Sequence, residues 1–423
     1  MIKRVGHLVV DLGFGDAGKG HLVDALVRHT GARWVVRFNG GAQAGHTVVL
    51  DDGRAHTFAQ LGAGSFVPGV RTFLAAPVVI HPTALAVEAG VLAQRGVGDG
   101  LARLAVDARC RIITPYHQSA NRLREHARGD ARHGSCGVGV GETVADSLAH
   151  PDETITMAML RDPTAVRPML ARTRERKREA LRTAIGHGNG GEWRTFEDVG
   201  IAETWLARAS SIAASIELVD MGAPAVWGER GDVVFEGAQG VLLDERFGFH
   251  PFTSPSTCTF ANADAILDAW GWSDSRRRIG VLRSFHVRHG PGPLPSETDA
   301  LDVLAEPHNV DGPWQGRFRR GWFDVVLARH AIEVCGGIDT LALTHLDALA
   351  HDLGWRIATS HDRGIACGVD AVGRVDGLEA IAGDDGEARM SALRRRVSDA
   401  LAVPIEIASY GPRTSEVMLA IPR

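Results

Sequence analysis

The residues of this chain best suited to chemistry begin at Gly13-Phe14-Gly15-Asp16-Ala17-Gly18-Lys19-Gly20. An apolar run at 8–12 reads as a short buried strand, and Leu22, Val23, Ala25, Leu26 and Val27 follow at helical spacing. A strand, a glycine turn and a helix together can hold a phosphate. The glycines let the backbone approach the anion, and the first N–H groups of the helix point at it. The chain has only three lysines (Lys3, Lys19, Lys177), and one sits in this turn. A compact ammonium beside backbone N–H groups suits a β- or γ-phosphate. The spacing is Gly-x4-Gly-Lys, but Gly20 stands where the usual P-loop carries the Ser or Thr that meets Mg2+. Asp16 is the anomaly. A carboxylate there opposes phosphate unless a metal lies between them or the acid has its own chemical task.

Further small-residue loops follow candidate strands. The run 34–38 leads into Asn39-Gly40-Gly41-Ala42-Gln43-Ala44-Gly45-His46-Thr47, where a histidine beside phosphate could stabilise transferred charge. The loop 133–142 allows close approach to a ligand. The strand pattern at 232–235 leads into Glu236-Gly237-Ala238-Gln239-Gly240, the place where α/β sheets put ligands. Arg317, Arg319 and Arg320 share one Gly-bounded loop and suit anionic groups, though a solvated loop explains them almost as well. The runs 341–343 and 405–407 lead into Thr344-His345-Leu346-Asp347 and Ser409-Tyr410-Gly411-Pro412.

The elements that must position these loops alternate strand and helix along most of the length. That favours one large α/β domain around a mostly parallel sheet, spanning 1–423. Strands are expected at 73–80 and 110–114, helices at 82–94 and 117–128. A mostly helical insertion is expected over 151–230, with a linker at 187–191 and a basic, solvated helix face at 173–184. At 423 residues, 44% hydrophobic and 23% charged, the composition is ordinary for a globular protein. A net charge of -5 and a pI near 6.4 supply no basic field for nucleic acid. Five scattered cysteines without a CxxC pair argue against a disulfide framework or zinc site and fit a reducing cytosol. No run approaches 18 apolar residues, so a soluble, cytoplasmic protein without membrane partners is expected.

Taken together these loops resemble the adenylosuccinate synthetase family across nearly the whole chain. Gly15-Asp16-Ala17-Gly18-Lys19-Gly20 is similar to that family's Gly-Asp-Glu-Gly-Lys-Gly, and 40–47 to its Gly-Gly-His-Asn-Ala-Gly-His-Thr. Residues 236–240 match its Glu-Gly-Ala-Gln-Gly, 344–347 stand for Thr-Lys-Leu-Asp, and 409–412 for Ser-Thr-Gly-Pro. The resemblance implies a GTP-dependent ligase acting on a 6-oxopurine nucleotide, with Mg2+ held by Asp16 and the Gly45 carbonyl. Asp16 would take the ring N1 proton so that O6 attacks the γ-phosphate, with Lys19 and His46 stabilising the phosphoryl in flight. An aspartate amine would then displace phosphate at C6. GTP would be held by Gly15, Gly18, Lys19, Gly20, Gly45, His46, Thr47, Arg319, His345, Leu346, Asp347, Ser409, Tyr410 and Gly411, Asp347 selecting guanine. Asp16, Gln43, Ser135, Cys136, Gln239, Thr253, Gln315 and Arg317 would hold the nucleotide and amino acid. A homodimer is also implied.

Several positions depart from the family's pattern. Trp314-Gln315 replaces its Thr-Thr, and Gly-Arg-Phe-Arg-Arg at 316–320 replaces Gly followed by four arginines. Ser135 and Cys136 replace two threonines, Gln43 an Asn and His345 a Lys. The arginine the family lends to its partner's nucleotide has no counterpart in 145–155. Either Arg122, Arg124 or Arg128 substitutes for it, or the acceptor nucleotide differs. IMP with L-aspartate is the default. A related purine nucleotide (GMP, dGMP or a modified purine) or another amine is the alternative, and a non-catalytic GTP-binding protein is a third reading. A dinucleotide-dependent oxidoreductase is disfavoured, because the first loop lacks Gly-x-Gly-x-x-Gly and no acid follows at ribose spacing.

Overall fold

The computed structural model describes residues 4–188, 190–219, 231–306, 309, 314–365 and 372–422. In chain order its strands are β1 Val5–Asp11, β2 Trp34–Arg37, β3 His46–Val49, β4 Ala55–Phe58, β5 Arg71–Leu74, β6 Val79–Ile80 and β7 Leu104–Asp107. There follow β8 Arg111–Ile112, β9 Glu217–Val219, β10 Val233–Glu236, β11 Ser275–Arg283, β12 His286–His289 and β13 Phe318–Gly321. The last are β14 Phe323–Asp324, β15 Thr340–Thr344, β16 Arg356–His361, β17 Val375–Ala380, β18 Ile405–Ser409 and β19 Val417–Leu419.

Ten of these form one sheet in the order β19-β18-β15-β11-β1-β10-β2-β5-β7-β9. Every neighbouring pair is parallel except β18–β19 at one edge. β1 is central, and its side chains alternate between the two faces as strand geometry requires. Val9 joins a core with Leu22, Leu26 and Val35, whereas Leu8 and Val10 join the opposite core with Trp34, Val36 and Phe235. With both faces covered, the strands read as near-continuous apolar runs, which is why they were visible in the sequence. The helix α1, Lys19–Thr30, leaves the turn after β1, and Gly18 at its N-cap adopts φ 82°.

Several expected elements shift. The run 73–80 is two strands, β5 and β6, because Pro77 lies in a turn closed by the Val78 N–H on the Ala75 carbonyl. The helix expected from 117 begins at Pro115, since Thr114 caps it reciprocally with His117. Within 151–230 the helices Pro163–Ile185 and Val199–Ser215 appear, but Glu217–Val219 is a strand at the sheet edge. Residues 220–230 lie outside the described set, as does position 189 within the expected linker. No described helix is long and apolar enough to cross a membrane. Cys110, Cys136, Cys258 and Cys335 are free thiols.

The carboxyl ends of β1, β2, β10, β11, β15 and β18 all point the same way. The loops that begin at 12, 38, 237, 345 and 410 leave from those ends, so the parallel sheet gathers them on one edge, whereas 133–142 follows a helix and 316–320 leads into β13 of a separate sheet.

Candidate functional site

β1 ends on Asp11, whose carboxylate is fully buried and organises the turn beyond it. Asp11 Oδ1 accepts the Gly13 N–H at 2.8 Å, and Oδ2 accepts the Ala17 N–H at 3.0 Å and the Lys19 ammonium at 2.8 Å. Buried charge is stable only when paired and hydrogen-bonded, and both charges here are. An ammonium has three donors, so Lys19 keeps two for a phosphate. Gly15, Asp16 and Gly18 all have positive φ, of 94°, 58° and 82°. Asp16 is one of four non-glycine residues in that region among the described residues, and Gln239 and His345 are two of the others. All three border one cavity of about 580 Å³. Such conformations cost about 1–3 kcal/mol each and persist where surrounding packing enforces them.

Gly20 needs to be glycine because β3 crosses directly over it. A Cβ there would lie 2.5 Å from the Thr47 carbonyl oxygen and 2.6 Å from the His46 carbonyl carbon. The same crossing brings His46 to the cavity, where its Nδ1 meets Glu236 Oε1 at 2.5 Å. Glu236, at the end of β10, takes the Ala63 N–H on its other oxygen at 3.0 Å. Burial works against the Glu236 carboxylate, but Arg37 and His46 outweigh it and hold its pKa below the usual value. Burial pushes His46 down to about 4 against the pull of Glu236. With Nδ1 on Glu236, Nε2 is the nitrogen left for a ligand. The sequence shows Glu236 only as part of a motif, and its hold on His46 depends on β3 lying over the start of α1, which brings His46 to the end of β10.

The cavity is also bordered by Gly15, Gly18, Lys19, Gln43, Gly45, Thr47, Ser135, Cys136, Gln239, Thr253, Gln315, Asp347 and Gly411. Gln43 Oε1 and Gln239 Oε1 are buried there without a hydrogen-bond partner, as acceptors that await a ligand's donors would be. At one end His21 and His345 pack edge to face, 6.5 Å between centroids. Burial first and then Arg283 hold His21 near 4, and the same two causes, with His21, hold His345 well below its usual value. Burial, with Glu416 as the next contributor raising it, lifts the Asp347 carboxyl above its ordinary pKa.

Other expected site residues lie elsewhere. Leu346 is fully buried in a core, Ser409 bonds His21 Nε2 at 3.0 Å behind the cavity wall, and the Tyr410 hydroxyl accepts from Arg394. Arg317 pairs with Asp302 and Asp299 on an exposed surface. Arg319 is held by Glu297 and by the Gly290 and Gly292 carbonyls. None of these five borders the cavity, because nearer acids and carbonyls satisfy both arginines. Arg122 and Arg124 are likewise taken up by Glu192 and Glu142, whereas Arg128 reaches the cavity wall beside Glu125. For a metal, the Asp16 carboxylate and the Gly45 backbone offer hard oxygen. The described residues contain no group of three or more His, Cys, Asp or Glu able to hold an ion alone. That donor set fits Mg2+, which binds through one or two carboxylates and substrate phosphates rather than a protein cage.

The profile of the family described as Adenylosuccinate synthetase matches residues 8–364. The chain belongs to the adenylosuccinate synthetase family. Adenylosuccinate synthetase of Magnetococcus marinus is 30% identical over 97% of this chain and 98% of its own. That of Alkalilimnicola ehrlichii is 31% identical over 99% and 98%. Among solved structures, fully ligated adenylosuccinate synthetase from Plasmodium falciparum superposes with a TM-score of 0.77 at 19% identity, covering 98% of this chain and 99% of that one. Succinoaminodeoxyadenylate synthetase of cyanophage S-2L, bound to dGMP and dATP, gives a TM-score of 0.63 at 18% identity, covering 100% and 97%. At these identities the two structures establish the fold.

Two predictions follow from the packing of this adenylosuccinate synthetase site. Gly20→Ser, although it restores the hydroxyl of the usual P-loop, should displace β3 and His46 and lower kcat about 100-fold. Unchanged turnover would contradict the crossing. His21, near 4 when folded, returns to 6.5 on unfolding. The unfolded chain therefore binds the extra proton between those values. The contribution of His21 to stability is full above about pH 6.5, falls by about 3 kcal/mol toward pH 4 and levels off below. His21→Gln should lessen the fall seen in thermal denaturation, to which His46 also contributes, and an unchanged slope would contradict it.

Proposed function

We propose that this chain joins L-aspartate to C6 of IMP at the expense of GTP, giving adenylosuccinate, GDP and phosphate. The observation that supports it most is the division of labour between two acids in one turn. Asp11 holds Lys19, so the Asp16 carboxylate, 30% exposed at the cavity, is not consumed by that cation. Asp16 takes the proton from ring N1 and the electron pair moves onto O6. O6 then attacks the γ-phosphorus as the bond to the β-phosphate oxygen breaks. Lys19 and the helix N-terminus behind Gly18 bind the phosphates, and His46, steadied by Glu236, faces the transferred group through Nε2. Such transfers depend on positioning and electrostatics more than on covalent help from the protein. Asp16 and the Gly45 carbonyl would hold Mg2+, which would neutralise phosphate charge. The aspartate amine then adds at C6, loses a proton, and phosphate departs carrying O6.

GTP is read at Asp347, whose carboxylate accepts the guanine N1 and N2 hydrogens, with Gly411 beside it. Gln43, Gln239, Thr253, Ser135 and Cys136 line the nucleotide side, and their unpaired amide oxygens support a polar ligand there. A homodimer in the cytoplasm accompanies this reading, as the family resemblance implies.

A second reading keeps the chemistry but changes the acceptor to GMP or dGMP. It is favoured by one feature of the acceptor side. Arg317 and Arg319 are neutralised by Asp302 and Glu297 outside the cavity, while Ser135, Cys136 and Gln315 occupy positions where the family carries threonines. Phosphate release should be followed with GTP and Mg2+ against IMP, GMP and dGMP, each with and without aspartate. Aspartate-dependent release with IMP supports the first reading, and release confined to a guanine nucleotide supports the second. No release with any acceptor would leave only GTP binding. Asp16→Ala should reduce turnover by about 10²–10⁴-fold, the scale of a lost general base, while GTP still binds. Retained turnover would remove Asp16 from this role.

A further inference from the structure

A carboxylate that must meet a ring N–H needs a fixed orientation. Asp16 receives none from the cations of its own turn. Lys19 is on Asp11, and Arg283 donates to the Asp16 main-chain carbonyl at 2.7 Å while its other nitrogens hold Glu306. Arg288, also at the cavity, is occupied by the Pro291, Pro293 and Phe252 carbonyls. The side chain that faces the Asp16 carboxylate is His289, its Nε2 3.4 Å from Oδ2.

The placement of His289 is rigid. It is the last residue of β12, opposite Phe318 of β13, and its ring lies 4.8 Å from the Phe318 ring. The next residue, Gly290 at φ 66°, is packed so tightly that a Cβ would overlap the Gln315 carbonyl. The side chain is 15% exposed, and its Nδ1 is buried with no partner. A proton on Nδ1 would be an orphaned buried donor, whereas a proton on Nε2 has a carboxylate oxygen 3.4 Å away, a separation that a small turn of the Asp16 side chain would close to a hydrogen bond. The surroundings therefore select the Nε2–H tautomer.

We propose that His289 is a positioning residue for Asp16. Its Nε2–H donates to Oδ2 and turns Oδ1 toward the nucleotide. The inference rests on the function proposed above. His289 lies outside the glycine loops, and its position depends on the β12–β13 pairing rather than on them. Partners that orient a functional side chain are worth about 10–100-fold in activity by general experience.

The test compares His289→Leu, which removes the donor, with His289→Gln, which keeps an N–H at similar reach. In phosphate release at saturating substrates, the Leu variant should lose kcat about tenfold or more while the KM for GTP stays within about twofold, and the Gln variant should recover most of the loss. Equal losses in both variants, or no loss in the Leu variant, would overturn the proposal. Should the Leu variant fail to fold, nitrogen NMR of the histidine-labelled, unsubstituted protein decides, with His289→Gln assigning the signal. An Nε2-protonated ring whose signal moves in Asp16→Asn supports the contact, and an Nδ1-protonated ring overturns it. That measurement needs no turnover. Absence of phosphate release from the unsubstituted protein would defeat the proposed function alone, and an unchanged His289→Leu enzyme would defeat this inference alone.

Discussion

The Asp11–Lys19 pair is the constraint on which the rest of the site depends. Two opposite charges 2.8 Å apart, with both side chains nearly excluded from water, are stable because the same carboxylate also accepts two backbone N–H groups of the turn. One buried acid thereby fixes the path of the chain from β1 into α1 and points the ammonium along it. It also separates two functions that a shorter motif would confuse. A carboxylate beside phosphate is unfavourable in general, but here one acid manages the lysine and the carboxylate of the second, Asp16, stays clear of it, as the proposed proton transfer requires.

The cost of this arrangement appears in the backbone. Asp16, Gln239 and His345 hold left-handed conformations around one cavity, each in the loop that follows a strand of the central sheet. Glycines are required only where strands and turns touch. A Cβ at Gly20 would meet β3, and one at Gly240 would overlap the Gly13 carbonyl. The turn after β1, the loop after β10 and the hairpin β3–β4 are therefore packed against one another, and movement in one displaces the others. His46 receives its orientation from that contact, since Glu236 belongs to β10 and His46 to β3.

The sequence showed the parallel α/β architecture clearly because central strands buried on both faces are continuous apolar runs and each ends in small residues. Asp16, Lys19 and His46 were legible as polar residues set among small neighbours, Gln239 and Asp347 through the family resemblance, and the structure brings all five around one cavity. What was not legible depended on partners distant in sequence. Nothing local to Arg317 or Arg319 announces that Asp302 and Glu297 will hold them, and nothing near His289 announces the β12–β13 pairing that aims it at Asp16. The short edge strand at Glu217–Val219 was hidden at the end of a helical region because three residues carry no period. Pro77 was a visible breaker, and it does split the expected strand at 73–80.

The central claim is that the exocyclic O6 of the purine, activated by proton transfer from N1 to Asp16, captures the terminal phosphoryl group before the amine arrives. Labelling that oxygen tests it most directly. With IMP carrying 18O at C6, GTP, Mg2+ and aspartate, the account predicts one labelled oxygen in every phosphate released. Unlabelled phosphate from a productive turnover would mean that water, not the purine oxygen, attacks GTP, and would contradict the account.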